Sequence, residues 1–195
     1  MKKIFPVLQY INVPNTLTTI GMGFGVVACY FIMAMNMQMV FICVFLATFM
    51  DLLDGFFAGK LNQQTAFGQQ ADSLVDFFVC CIIPALVVYA FIGGGPILIV
   101  GMIFYCMCGL WRLAHYNVAA AKKYFTGLPV PGGLLFAAMS IWVVVTFSLP
   151  YWVCAIFFVL TGILMISNIK LEKYGLWQKI LWGLGLIFLI LAVII

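Results

Sequence analysis

The sequence predicts an all-α polytopic bundle of transmembrane helices, about 6–7 spans, and three observations carry that reading. Of 195 residues, 67% are hydrophobic and 7% charged, against roughly 25% charged in a soluble domain. Such a chain cannot cover its surface with polar groups, so its solvent is lipid. The apolar runs are about twenty residues long, the length a helix needs to cross the hydrocarbon core. They are apolar all round, which excludes barrel strands of about ten alternating residues and leaves helices to satisfy the backbone within lipid.

Taken in order, residues 1–14 form a basic and apolar lead. Ile4, Phe5, Val7, Leu8 and Ile11 beside Lys2 and Lys3 suit a segment lying on the membrane surface, interrupted by Pro6. Spans follow at 15–34, 38–58, 69–92, 96–118, 132–149, 151–168 and 177–195. Turn residues mark the breaks: Asn36 between Met35 and Met37, then Gly93-Gly94-Gly95-Pro96, Ser148 to Pro150, and the polar stretch Lys170 to Lys179. The first run continues past Phe31 without a small-residue cleavage site, so it reads as a retained helix and not a signal peptide. No linker, low-complexity tract or repeat divides the chain, and 1–195 reads as one domain. The seven cysteines lie in apolar runs without CxxC spacing, and read as small buried hydrophobes, not a zinc site or disulfide framework. Trp111, Trp142, Trp152, Trp177 and Trp182 mostly fall where interfacial anchors are expected.

The cations fix an orientation. Lys2 and Lys3 precede the first span, Lys60 follows the second, Arg112 ends the fourth with Lys122 and Lys123 beyond it, and Lys170, Lys173 and Lys179 separate the sixth and seventh. All fall on one face, which the positive-inside rule makes cytoplasmic, with the N-terminus inside. The net charge of +4 follows from this topology and from anionic headgroups, and does not argue for nucleic acid.

Four of the five acidic residues fall in one stretch. Asp51 and Asp54 are three apart at the cytoplasmic end of the second span. Asp72 and Asp76 are four apart at the start of the third, and both spacings place a pair on one helix face. The short loop between makes the two helices antiparallel neighbours, so the pairs converge. Four ionised carboxylates cannot crowd together without cations. Hard divalent metals prefer oxygen ligands, and paired metals recur in phosphoryl chemistry. Gly55 and Gly68 remove side chains beside the acids, so a bulky ligand can approach the backbone. Solvated helix-end acids, or the ion pathway of a metal- or proton-coupled transporter, are the alternative readings. The transporter is disfavoured because its broken polar helices belong near the midplane, often in repeats.

Arg112 is the only arginine, inside a span near its cytoplasmic end. It reads either as a snorkelling side chain or as the partner of a phosphate or carboxylate. His115, three residues on, shares its face and either is a satisfied polar residue or lines an acceptor pocket. The Gly127-Leu128-Pro129 turn is a capping or re-entrant loop.

The pattern Asp51-x-x-Asp54-Gly55-x-x-Ala58, then Gly68-x-x-x-Asp72-x-x-x-Asp76, resembles the motif of the CDP-alcohol phosphotransferase family, with seven residues fixed over 26. Pro14-Asn15-x-x-Thr18, Pro84-Ala85, Arg112-Leu113-Ala114-His115-Tyr116-Asn117 and Tyr124 to Pro131 are similar to its membrane-embedded phosphatidylserine synthases. Two arginines of the pattern are absent: Gly59 stands at one place, followed by Lys60, and His115 at the other. The resemblance implies transfer of a phosphatidyl group from CDP-diacylglycerol to a small alcohol, serine first, with glycerol phosphate, inositol phosphate or choline as alternatives. It implies Asp51, Asp54, Asp72 and Asp76 as ligands of Mg2+ or Mn2+, two ions, and Asp76 as the base. Asn15, Thr18, Gly55 and Thr65 match positions near the cytidine nucleotide, and Lys60 can replace the charge of the missing arginine but not its fork. It further implies a homodimer, in a bacterial or archaeal cytoplasmic membrane, with membrane lipids as neighbours.

Overall fold

The computed structural model describes residues 5–118, 124–172 and 176–194. Ile4, Lys2, Lys3, Lys122, Lys123 and Lys173, on which part of the lead and charge readings rest, lie outside the described residues. Each expected span is a helix: α1 (Val13–Met33), α2 (Met37–Lys60), α3 (Ala66–Phe91), α4 (Pro96–Val118), α5 (Val130–Thr146), α6 (Tyr151–Ile166) and α7 (Leu176–Ile194). The first four are long and apolar enough to cross a membrane. The fifth and sixth stop short of their expected ends, at 17 and 16 residues. Ser148 turns into the left-handed region (φ 50°) before Pro150, and extended Ser167 ends α6. Left-handed residues also sit at the expected breaks Met35 (φ 53°) and Gly93 (φ 87°).

Small residues bring the helices together. A Cβ on Gly21 would lie 3.3 Å from the Ala47 carbonyl oxygen, so α1 and α2 pack backbone to backbone. Gly101 meets Ala155 in the same way, 3.2 Å from its carbonyl oxygen, and Gly162 receives the Phe104 ring, joining α4 to α6. Tyr105, Phe158, Ile83, Leu98, Ile141 and Met165 fill the interior. Outward, Val26, Met33, Val100, Ile103, Leu160 and Ile190 are exposed. An apolar surface of this extent suits lipid and not water.

Three short elements lack a periodic signal in the sequence. Pro6–Tyr10 is one 3-10 turn, with Val7 and Leu8 exposed. The Tyr10 ring stacks on Phe67 at 4.3 Å, tying the lead to the start of α3. Strands β1 (Tyr124–Thr126) and β2 (Lys170–Glu172) pair antiparallel, joining the segment after α4 to the segment after α6. Beside them the Gly127 N–H donates to the Ile169 carbonyl (2.8 Å) and the Leu128 N–H to the Leu164 carbonyl (3.0 Å). The turn is thus a capping loop, satisfying a carbonyl at the end of α6. Gly127 is left-handed (φ 76°), and a Cβ there would strike the Met165 carbonyl, so two constraints select glycine.

A candidate metal and lipid-substrate site

The acidic motif folds as its spacing demands. Asn62, left-handed at φ 53°, reverses the chain after α2. Thr65 caps α3, its hydroxyl accepting the Gly68 N–H at 3.0 Å. One carboxylate oxygen each from Asp51, Asp54 and Asp72 lie within 4.8 Å of one another. Asp76, one turn along α3, stands beside this group and lines the same cavity as Asp51 and Asp72. The donor set fits a hard divalent cation: oxygen ligands only, from two helices, at a spacing one ion can bridge.

α1 supports the cluster. Asn12 caps it, accepting the Asn15 N–H at 2.9 Å. The buried Thr18 hydroxyl donates to Asp54, with the Pro14 carbonyl oxygen 3.2 Å away as the competing acceptor. The Asn15 amide donates to the Tyr10 carbonyl at 2.7 Å, and its oxygen faces Gly68 so closely that a Cβ there would lie 2.6 Å away. Asn15 and Thr18, expected at the nucleotide, are therefore engaged within the protein. Thr65 is likewise a cap. Gly55 differs from Gly68, because a Cβ on Gly55 would meet nothing within 4 Å.

The cavity has a volume of about 290 Å³. Asp51, Asp72, Asp76, Arg112 and Tyr116 line one end, and the walls beyond are apolar, with Phe41 and Val44 from α2, Leu134 from α5 and Phe188 from α7. Along α2 the lining runs from Leu52 back to Phe41, about 16 Å at the helical rise. Arg112 is buried, its guanidinium lies 5.7 Å from the Tyr116 ring centre, and its Nε has no partner. An unpaired buried donor is costly, so this one is a candidate for an anionic ligand. His115, on the next turn, is exposed and does not line the cavity. Lys60 is exposed at the end of α2, its ammonium 5.7 Å from the Phe56 ring centre.

Asn117 gained no separate role from the sequence. Its side chain bonds Ser73 (3.0 and 3.1 Å), Gln69 (3.3 Å) and Gln70 (3.4 Å). This locks the end of α4 to the start of α3, which sets Arg112 opposite the aspartates. The signal was a lone amide in the last turn of α4.

Comparison with known proteins agrees with this architecture. The family model described as CDP-alcohol phosphatidyltransferase matches residues 11–191. A CDP-diacylglycerol–serine O-phosphatidyltransferase of Methanocaldococcus jannaschii is 31% identical over 174 residues, covering 89% of this chain and 77% of that protein. The Helicobacter pylori (strain 26695) protein of that name is 30% identical over 193 residues, covering 91% and 78%. The Mycobacterium bovis protein of that name is 29% identical over 178 residues, covering 82% of this chain, which spans 60% of its length.

Proposed function

The chain belongs to the CDP-alcohol phosphatidyltransferase family, and we propose that it transfers the phosphatidyl group of CDP-diacylglycerol to L-serine, releasing phosphatidylserine and CMP. It is an integral membrane CDP-diacylglycerol-dependent transferase of phospholipid biosynthesis. One observation carries the finer reading. A single cavity joins three carboxylates and an unpartnered buried arginine nitrogen to an apolar extension between α2, α5 and α7. The donor divides in the same way, into a charged diphosphate and a lipid body.

Asp51, Asp54, Asp72 and Asp76 hold Mg2+ or Mn2+, two ions in this proposal. When bound, such cations neutralise charge on the diphosphate and on the leaving phosphate. The protein's own groups do the rest. Asp76 accepts the proton of the serine hydroxyl. The serine oxygen bonds to the lipid-side phosphorus as the bond to the CMP phosphate breaks. Arg112 receives the serine carboxylate, for which its planar fork is suited. A phosphorylated acceptor would call for more cations than the one Arg112 contributes to the described cavity lining, and the relatives above are named for serine. Gly55 leaves room for the nucleotide, Thr18 and Asn15 hold Asp54 and the start of α3, Thr65 and Gly68 shape that start, and Lys60 lies near the phosphates. The same reading takes 1–195 as one domain, 1–14 as a surface segment, the site as cytoplasmic in a bacterial or archaeal membrane, and the working unit as a homodimer.

The test is CMP release by the purified protein with CDP-diacylglycerol, Mn2+ and a panel of serine, glycerol phosphate, inositol phosphate and choline. Serine alone should release CMP, chelation should abolish it, and Asp76→Asn should lower turnover by about 10²-fold or more. A folded protein that binds Mn2+ yet releases no CMP with any alcohol defeats the proposal. An Asp76→Asn variant with parental turnover removes Asp76 as the base.

A further inference from the structure

α3 carries Asp72 and Asp76 in its first half, and in its second the buried residues Ile83, Val87 and Val88. The two halves do not share one helical phase. Between them Phe78–Ile82 is a π turn, in which the Ile83 N–H donates to the Phe78 carbonyl five residues back instead of four. The cause lies in Pro84. It has no N–H, so the Cys80 carbonyl four residues earlier has no α-helical donor, and the proline ring would press on that carbonyl in a regular helix. The carbonyl is satisfied from outside α3. The Tyr105 hydroxyl, from α4, donates to it at 2.8 Å. Tyr105 is fully buried and its ring lies 4.9 Å from that of Phe158, so both ends of the side chain are fixed. On the same turn the Cys80 thiol lies 3.9 Å from Asp76 Oδ1.

A helical residue advances about 100° around the axis. One extra residue in the π turn therefore rotates the first half of α3 by about that angle relative to the second. Packing fixes the second half, with Ile83, Val87 and Val88 no more than 2% exposed. The rotation then decides where the aspartates face. A regular helix with the same buried second half would carry Asp72 and Asp76 about a quarter-turn away from Asp51 and Asp54.

We propose that the π turn set by Pro84, and clamped by the Tyr105 hydroxyl on the Cys80 carbonyl, aims Asp72 and Asp76 at Asp51 and Asp54, making Pro84 and Tyr105 positioning residues. The proposal rests on the reading of the aspartates as the cation site. Tyr105→Phe keeps the ring and removes the clamp. Pro84→Ala supplies the missing N–H and lets α3 relax toward a regular helix. The readouts are Mn2+ affinity by electron paramagnetic resonance, turnover with serine, and the unfolding midpoint, all on the full chain in lipid nanodiscs, with Ile141→Ala, at a buried position outside the cavity lining, as a packing control. Both variants should bind Mn2+ at least tenfold more weakly and lose turnover in step, with the KM for CDP-diacylglycerol within twofold. Pro84→Ala should do so at an unfolding midpoint no lower than the parent's, a combination that lost stability cannot produce. Ile141→Ala should lower the midpoint while Mn2+ affinity stays within twofold. Parental Mn2+ affinity and turnover in Pro84→Ala overturn the proposal, and that variant decides alone if Tyr105→Phe does not fold. Asp72→Asn separates the two failures. If it leaves Mn2+ binding unchanged, the cation site falls and the positioning role with it. If it abolishes binding while Tyr105→Phe and Pro84→Ala keep parental affinity, the positioning role falls alone.

Discussion

Gly55 and Gly68 look alike in the motif, yet alanine should act on them in opposite ways. Gly55 lies inside α2, where a Cβ meets no atom within 4 Å. Alanine in a helix interior is favoured over glycine by about 0.5–1 kcal/mol, so Gly55→Ala should unfold at or slightly above the parent's midpoint. At Gly68 the new Cβ would lie 2.6 Å from Asn15 Oδ1 and 3.1 Å from Thr65 Oγ1. Neither neighbour is free to retreat. Asn15 is 9% exposed and its amide is held by the Tyr10 carbonyl, while the Thr65 hydroxyl caps α3. Overpacking of this kind costs about 1–3 kcal/mol, and a disturbed cap adds about 1 kcal/mol. After the helix gain, Gly68→Ala should be destabilised by roughly 1–3 kcal/mol.

The kinetic effects should invert that order. The methyl of Gly55→Ala enters open space assigned above to the nucleotide. It should raise the KM for CDP-diacylglycerol about tenfold, equivalent to about 1.4 kcal/mol, and leave the KM for serine unchanged. Folded Gly68→Ala should bind the donor within a few-fold of the parent. Unfolding midpoints in detergent, with donor and acceptor KM measured on the same preparations, decide the matter. A Gly55→Ala enzyme with an unchanged donor KM, or a Gly68→Ala protein as stable as the parent, refutes the reasoning.

Two further perturbations probe the support of the site and its acceptor end. Thr18→Val removes the hydroxyl that donates to Asp54 at nearly constant volume; loss of a hydrogen bond that orients a metal ligand typically costs about 10–100-fold in affinity, so Mn2+ titration should show a shift in that range, and an unchanged affinity would mean that Thr18 does not orient Asp54. Arg112→Lys keeps the charge but not the fork; the KM for serine should rise about tenfold or more with the donor KM steady, whereas a rise confined to the donor KM would reassign Arg112 to the donor phosphates.

The spans were legible because burial in lipid leaves a strong signal. Runs of apolar residues cannot be interrupted without a turn, and Met35, Gly93 and Ser148 stand at the expected breaks with left-handed backbone. Convergence of the acids was legible for a similar reason, since spacings of three and four fix a helix face, and Asp51, Asp54 and Asp72 meet. Same-face spacing failed at His115. The buried stripe of α4 through Tyr105, Cys108 and Arg112 ends at Leu113, so the next turn is exposed even though it continues the stripe. β1 and β2 were not legible, being three residues each and held by pairing across more than forty positions. Asn15 and Thr18 could be placed on α1, but their partners Gly68 and Asp54 become visible only once α1 lies against α2 and α3.

The same division explains why a motif of 26 residues does not by itself make this site. The motif supplies the carboxylates and one wall. Facing it are Arg112, Leu113 and Tyr116 of α4, the stretch Pro129 to Gly132 and the α7 residues Phe188 and Leu189. Most of these are apolar, so they limit the water around the charged end and extend the cavity along α2. Water exclusion strengthens electrostatic interactions within such a cavity, and makes an unpaired donor such as Arg112 Nε costly until a ligand arrives. The motif thus marks where the chemistry is held. The depth of the cavity, and the anion it selects, depend on α4, α5 and α7 as much as on the motif.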